Sequence, residues 1–156
     1  MKPADVKKQA LPAIEKMVVE LVLNRSDLSE MFFREIDSKD FSDERLGKVW
    51  DLLKPLLKID DVAKVLSVVG DLGGEEIKSL VSGLVMSGSR WAEIEKEESQ
   101  KAAEDCVKQF RTTKLKSQLK GLSVEIRRAE LEQDVLKVNR LLQEKSDLIK
   151  QMNSIH

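Results

Sequence analysis

Residues 115–152, LKSQLKGLSVEIRRAELEQDVLKVNRLLQEKSDLIKQM, decide how this chain is read. Apolar residues recur there at alternating steps of four and three, in two runs. The first run is Leu115, Leu119, Leu122, Ile126 and Ala129; the second is Leu131, Val135, Val138, Leu142, Ile149 and Met152, with Lys145 out of pattern. Such spacing keeps one stripe on one side of a helix, the seam along which two helices pack. The runs are out of phase, since four residues beyond Ala129 stands Gln133, so one unbroken helix does not present both stripes to one neighbour. A turn near Glu132, Gln133 and Asp134 removes the conflict and predicts a helical hairpin with arms near 114–131 and 134–153.

The second arm carries more apolar surface than a hairpin uses. Leu141, Leu148 and Ile155, at steps of seven, widen its face toward one flank. Half of that face packs on the first arm, and the other half wants a second partner, because contiguous apolar patches are rarely left to water. A seam that only holds the chain, or a homodimer, together is the other meaning of such stripes.

Composition agrees with helices. In 156 residues there are 4 Phe, 2 Trp, no Tyr, 7 Gly and 3 Pro, while 35% are charged and the net charge is −1. That is the make-up of a soluble, mostly helical protein of one or two small domains. Balanced charge creates no field that would select nucleic acid or an anionic membrane. No apolar run reaches the length of a membrane span, and the N-terminus lacks a signal-peptide core. A single cysteine, Cys106, excludes an internal disulfide and points to a cytoplasmic setting.

Upstream of the hairpin the pattern is one of short helices. Met1 to Gln9 is a polar lead; Pro12 suits the first turn of a helix whose Ile14, Met17, Val18, Leu21 and Val22 share a broad face ending near Asn24. Ser26 or Asp27 is placed to cap a short successor bearing Leu28, Met31, Phe32 and Phe33, the two Phe residues reaching different neighbours. Residues 37–43 form a loop pinned by Phe41, and Ser42 is expected to cap a helix with Leu46, Val49, Trp50 and Leu53, which Pro55 ends or kinks. Asp60 or Asp61 starts a helix through Val62, Val65, Leu66 and Val69 that stops at Gly70. After a turn at Asp71–Gly74 comes another with Ile77, Leu80, Val81, Leu84 and Val85, broken at Ser87, Gly88 and Ser89. A longer helix is expected from Trp91, with Glu93, Glu95, Glu97 and Glu98 near its positive end and Ala103, Cys106, Val107 and Phe110 as its stripe. The step of five from Phe110 to Leu115 breaks register, so the modules are 1–110, a bundle, and 111–156, the hairpin. The predicted class is all-α: a bundle of short helices, then a long helix and a C-terminal helical hairpin.

Chemistry leaves little trace. The only histidine is His156, which disfavours zinc and His-dependent catalysis. Cys106, on an apolar stripe with no base near it in sequence, reads as a buried thiol. The cluster Asp37, Asp40, Asp43 and Glu44 lacks the glycine and terminal glutamate of an EF-hand loop. Gly70, Gly73 and Gly74 have no Lys-Ser or Lys-Thr after them, so they are turn residues, not a phosphate loop. A basic strip of Lys108, Arg111, Lys114, Lys116, Lys120, Arg127 and Arg128 has no interleaved aromatics on which bases stack, which favours a solvated face or an acidic protein partner over nucleic acid. No cofactor or metal is expected.

The order of elements, with Glu15 to Phe33 (including RSDLSEMFF) and Ala102 to Gln151 (including LLQEKSDLIK), resembles the C-terminal helicase-interaction domain of bacterial DnaG-type primases over nearly the whole chain. That family often has Pro where Ser26 stands and Gly where Gln133 precedes Asp134. The resemblance implies a domain that makes no bonds in RNA itself and is one part of a longer primase whose zinc module and polymerase core lie elsewhere. It also implies docking on the N-terminal domains of the hexameric replicative helicase, chiefly through the hairpin, at the replication fork in the cytoplasm, with the bundle modulating helicase activity. On that basis Leu141, Leu148, Ile149, Met152 and Ile155 are the expected apolar anchors, and Lys145 and Lys150 the charges at their rim.

Overall fold

The computed structural model describes residues 11–56 and 62–155. The expectations for Met1–Gln9, for Asp60 or Asp61 as a cap, for the side chain of Val62 and for His156 lie outside them. Among the described residues there are helices and no strands: α1 (Ala13–Asn24), α2 (Ser29–Glu35), α3 (Glu44–Leu53), α4 (Val62–Ser87), α5 (Lys96–Leu131) and α6 (Val135–Ile155), with short 3-10 turns between. The all-α class, short helices followed by a long helix and a C-terminal hairpin, is what the chain adopts. It divides into two compact units inside α5, residues 1–107 and 108–156.

The first unit is built around α1, which packs on α3, α4 and the 3-10 turn Ser89–Glu93. Val18, Val19 and Leu21 are wholly buried, as are Phe32, Leu46, Val49, Val69 and Val81. The adjacent Phe residues part as expected: Phe32 is in the core, while Phe33 stacks on Trp50 with ring centroids 4.2 Å apart. Phe41 packs on the same indole at 5.1 Å, and Trp50 Nε1–H donates to the Ile36 carbonyl at 3.0 Å. Trp50 therefore fastens α2 and the loop after it to α3.

Two charged side chains of α1 are buried and satisfied. Glu15 accepts from the hydroxyl of Ser42 and from the backbone N–H groups of Ser42 and Asp43, at 3.0 and 3.1 Å. Glu20 accepts from the hydroxyl of Ser87. At the end of α1, Arg25 grips Asp27 with two N–H bonds of 3.0 and 3.1 Å and donates to the Ile94 carbonyl at 2.6 Å. Asp27 is thus an ion-pair partner of Arg25, and no side-chain cap bond is made at the start of α2.

The cap of α3 also differs from expectation. Asp43, not Ser42, accepts from the N–H groups of Arg45 and Leu46, because Ser42 faces Glu15. Burial raises the Asp43 carboxyl, but hydrogen bonds from Arg45 and the two amides outweigh that and hold it below its ordinary value. A depressed folded value means the stabilisation is complete above the unfolded pKa of about 3.9 and is lost as pH falls through the folded one. Asp43→Asn is expected to unfold at lower urea than wild type at neutral pH, with the gap closing as pH falls through the folded value and the Asp43 carboxylate is protonated. An unchanged gap in acid would remove the carboxylate from this role.

The break between the two halves of α4 sits at Gly74, whose φ of 86° is left-handed and natural only to glycine. Helical backbone continues past Gly70, the expected stop, to this point. Gly73 lies so close to its neighbours that a Cβ would meet Ile77 Cγ2 at 2.7 Å. Pro55 falls in the 3-10 turn Lys54–Leu56 that ends α3. The long helix starts at Lys96, not Trp91, which lies in the preceding 3-10 turn with the Arg90 guanidinium 5.0 Å from its ring centre. It then runs unbroken past Thr112 and Thr113 into the first arm of the hairpin.

Candidate functional site

The hairpin offers an unpartnered apolar surface, and its turn fixes how that surface is presented. At the end of α5, Gln133 N–H bonds to the Glu130 carbonyl and Asp134 N–H to the Ala129 carbonyl, at 3.1 and 3.0 Å. This pair of reversed bonds is the Schellman ending, and Gln133 holds its left-handed position at φ 57°. Asp134 then caps α6 by accepting from Lys137 N–H at 3.1 Å. A non-glycine residue in that conformation costs about 1 kcal/mol. Gln133→Gly is expected to raise stability by about that amount in urea unfolding followed by circular dichroism, and a loss of stability would show that the Gln133 side chain holds the turn.

Below the turn, Ile126, Ala129 and Leu141 form the hairpin's core, with Leu122 and Val138 packed on it. The first seam, Leu115, Leu119, Leu122, Ile126 and Ala129, is buried or half-buried throughout. The second arm is rotated from the expected phase. Its inward residues are Val138, Leu141, Lys145, Leu148, Met152 and Ile155, all buried or half-buried. Leu142 and Ile149, expected in the seam, stand 47% and 41% exposed.

That rotation sorts the expected partner-binding residues. Leu141, expected as an anchor, is only 3% exposed and lies in the core of the hairpin itself. Lys145, Leu148, Met152 and Ile155 are half-buried along the seam, whereas Ile149 and Lys150 are exposed. On α6 the apolar Val135, Leu142 and Ile149 face solvent, one heptad apart on one flank, with Leu131 and Leu136 at the tip, the latter 84% exposed; Val124 on α5 is exposed as well. Lys116, Lys120 and Arg127 on α5 are exposed. At about 100° per residue they fall on the same side of the hairpin as the apolar flank.

The opposite side is different in kind. A groove of about 450 Å³ runs between the arms, with Leu122 and Leu148 in its lining, Gly121 opening one wall, and Glu125, Glu144 and Asp147 as its charged groups. The Asp147 carboxylate accepts one bond, from Gln143 at 3.1 Å. Among the described residues, no cation lines it.

Among the described residues, no group of three or more His, Cys, Asp or Glu side chains is placed to hold a metal ion. Asp37 and Asp40 are engaged in a reciprocal cap of the 3-10 turn Ser38–Asp40. Cys106 is buried, its thiol 3.1 Å from the Met17 sulfur, and burial with the nearby charge of Asp105 pushes its pKa up to about 11, so it stays a neutral thiol at physiological pH. No described helix is long and apolar enough to cross a membrane.

Comparisons with protein-family models, with curated proteins and with solved structures return no match.

Proposed function

We propose that this chain is the helicase-binding domain of a bacterial primase, a non-catalytic module that recruits its parent enzyme to the hexameric replicative helicase in the cytoplasm. The observation that carries the reading is the second apolar stripe of the hairpin. α6 closes the seam with one face and still presents Val135, Leu142 and Ile149 to solvent, with Leu131 and Leu136 at the tip. An uncovered apolar row on a helix, edged by cations, is the form in which helices dock on other helices. The likeness of RSDLSEMFF and LLQEKSDLIK to the helicase-interaction domain of DnaG-type primases supplies the identity of the partner, the N-terminal domains of the helicase.

In this reading Ile149 and Leu142 are the anchors and Lys150 lies at the rim. Leu148, Met152 and Ile155 contribute by holding α6 in the rotation that turns the stripe outward. Size-exclusion chromatography with light scattering on the chain, alone and mixed with the hexameric helicase of the same organism, tests it. A co-eluting complex is expected; two separate peaks at micromolar concentration would overturn the assignment of partner.

A further inference from the structure

The two sides of the hairpin are complementary to each other. One is a groove with an apolar floor and three carboxylates, Glu125, Glu144 and Asp147, and no cation among the described residues of its lining. The other is an apolar row, Leu142 and Ile149, beside the exposed cations Lys116, Lys120 and Arg127. At 3.6 residues per turn, Ile149 lies about half a turn of α6 away from Gln151, Asp147 and Glu144, so the two sides face away from each other. A hairpin therefore does not fill its own groove, but a second one can.

We propose that the acidic groove receives the apolar, basic flank of a second copy of this chain. Leu142 and Ile149 of one copy lie over Leu122 and Leu148 of the next, while Lys116, Lys120 and Arg127 approach Glu125, Glu144 and Asp147. Charge matching selects this occupant over a neutral apolar segment, because desolvating three carboxylates without cations opposes docking. The lengths also agree. The groove spans Gln118 to Glu125 on one arm and Glu144 to Gln151 on the other, and Leu142 to Ile149 is the same one-heptad reach of about 10 Å.

Because donor and acceptor surfaces are different patches, the contact is heterologous. It joins subunits head to tail, into chains or rings, and not into a closed two-fold dimer. The inference does not rest on the helicase reading. It does bear on it, since a copy whose flank is seated in a neighbour's groove cannot offer that flank to another partner.

Two triple variants test it on the full chain by sedimentation and light scattering. Glu125→Gln, Glu144→Gln, Asp147→Asn empties the groove of charge, and Lys116→Gln, Lys120→Gln, Arg127→Gln does the same for the flank. Wild type is expected to show mass rising with concentration beyond a dimer, with association weakened roughly tenfold or more by high salt. Each variant alone is expected to be monomeric, and an equimolar mixture to form a dimer that grows no further, which also shows that both variants are folded. The groove variant keeps its apolar flank and should still bind the helicase, so failure of self-association and failure of the helicase reading are separable. A wild type that stays monomeric at millimolar concentration, a closed dimer insensitive to both variants, or a mixture that remains monomeric would each overturn the proposal.

Discussion

Trp50→Ala is expected to destabilise the first unit by about 3–5 kcal/mol, the range for removing a large buried aromatic. Trp50 is 1% exposed and makes three contacts that hold two stretches of chain: Phe33 stacks on the indole, the Ile36 carbonyl at the end of the same helix takes its N–H, and Phe41 leans on it from the following loop. Truncation leaves a cavity and an unpaired carbonyl together, and both add to the loss of apolar contact. Against a typical total of about 5–15 kcal/mol, such a loss takes much of the margin. Trp50→Phe is milder, since it keeps one ring for stacking while losing the hydrogen bond and the volume of the second ring, with an expected cost of about 1–3 kcal/mol. Urea titration followed by circular dichroism reads both, and a Trp50→Ala variant within about 1 kcal/mol of wild type would show that this cluster is not central to the unit.

Leu142→Asp with Ile149→Asp is expected to weaken helicase binding about 100-fold or more while the helical signal and urea midpoint stay near those of wild type. Both residues point to solvent, so a carboxylate there costs the isolated chain little. In a docked complex each would be a desolvated charge with no partner. Leu148→Asp makes the contrast: Leu148 lies half-buried in the seam, so its replacement should loosen the hairpin and lower helicity along with binding. Binding at full strength in the Leu142/Ile149 variant would move the docking surface away from this flank.

The rotational phase of α6 is what apolar spacing leaves open. Steps of four and three locate both arms, and the phase conflict at Gln133 locates the turn. The adjacent pairs Leu141–Leu142 and Leu148–Ile149 then give two stripes, one residue apart and equally apolar, with Lys145 between the members of either. Periodicity does not choose between them. The choice is made by the Schellman ending and the Asp134 cap, which set the angle at which α6 leaves the turn. In the bundle, helix existence is legible from apolar spacing, but the partners of buried charge are not. Glu15 meets Ser42 and Asp43 across 27 and 28 residues, and nothing in the local pattern of either segment signals the other. The groove is hidden in the sequence for a related reason, since Glu125, Glu144 and Asp147 come together only once the arms are paired.

The ties from α1 to the stretch around Ser87–Ile94 also set an order of events. Glu20 waits for Ser87, 67 residues later, and Arg25 for Ile94, 69 residues later. At about 5–20 residues per second, a nascent chain carries Glu20 and Arg25 for roughly 3 to 14 s before Ser87 and Ile94 have been synthesised. The hairpin, whose two arms meet across the short turn at Glu132, Gln133 and Asp134, closes as soon as its second arm exists. Locking α1 is therefore the long-range event of the first unit, complete only after Ile94 has emerged.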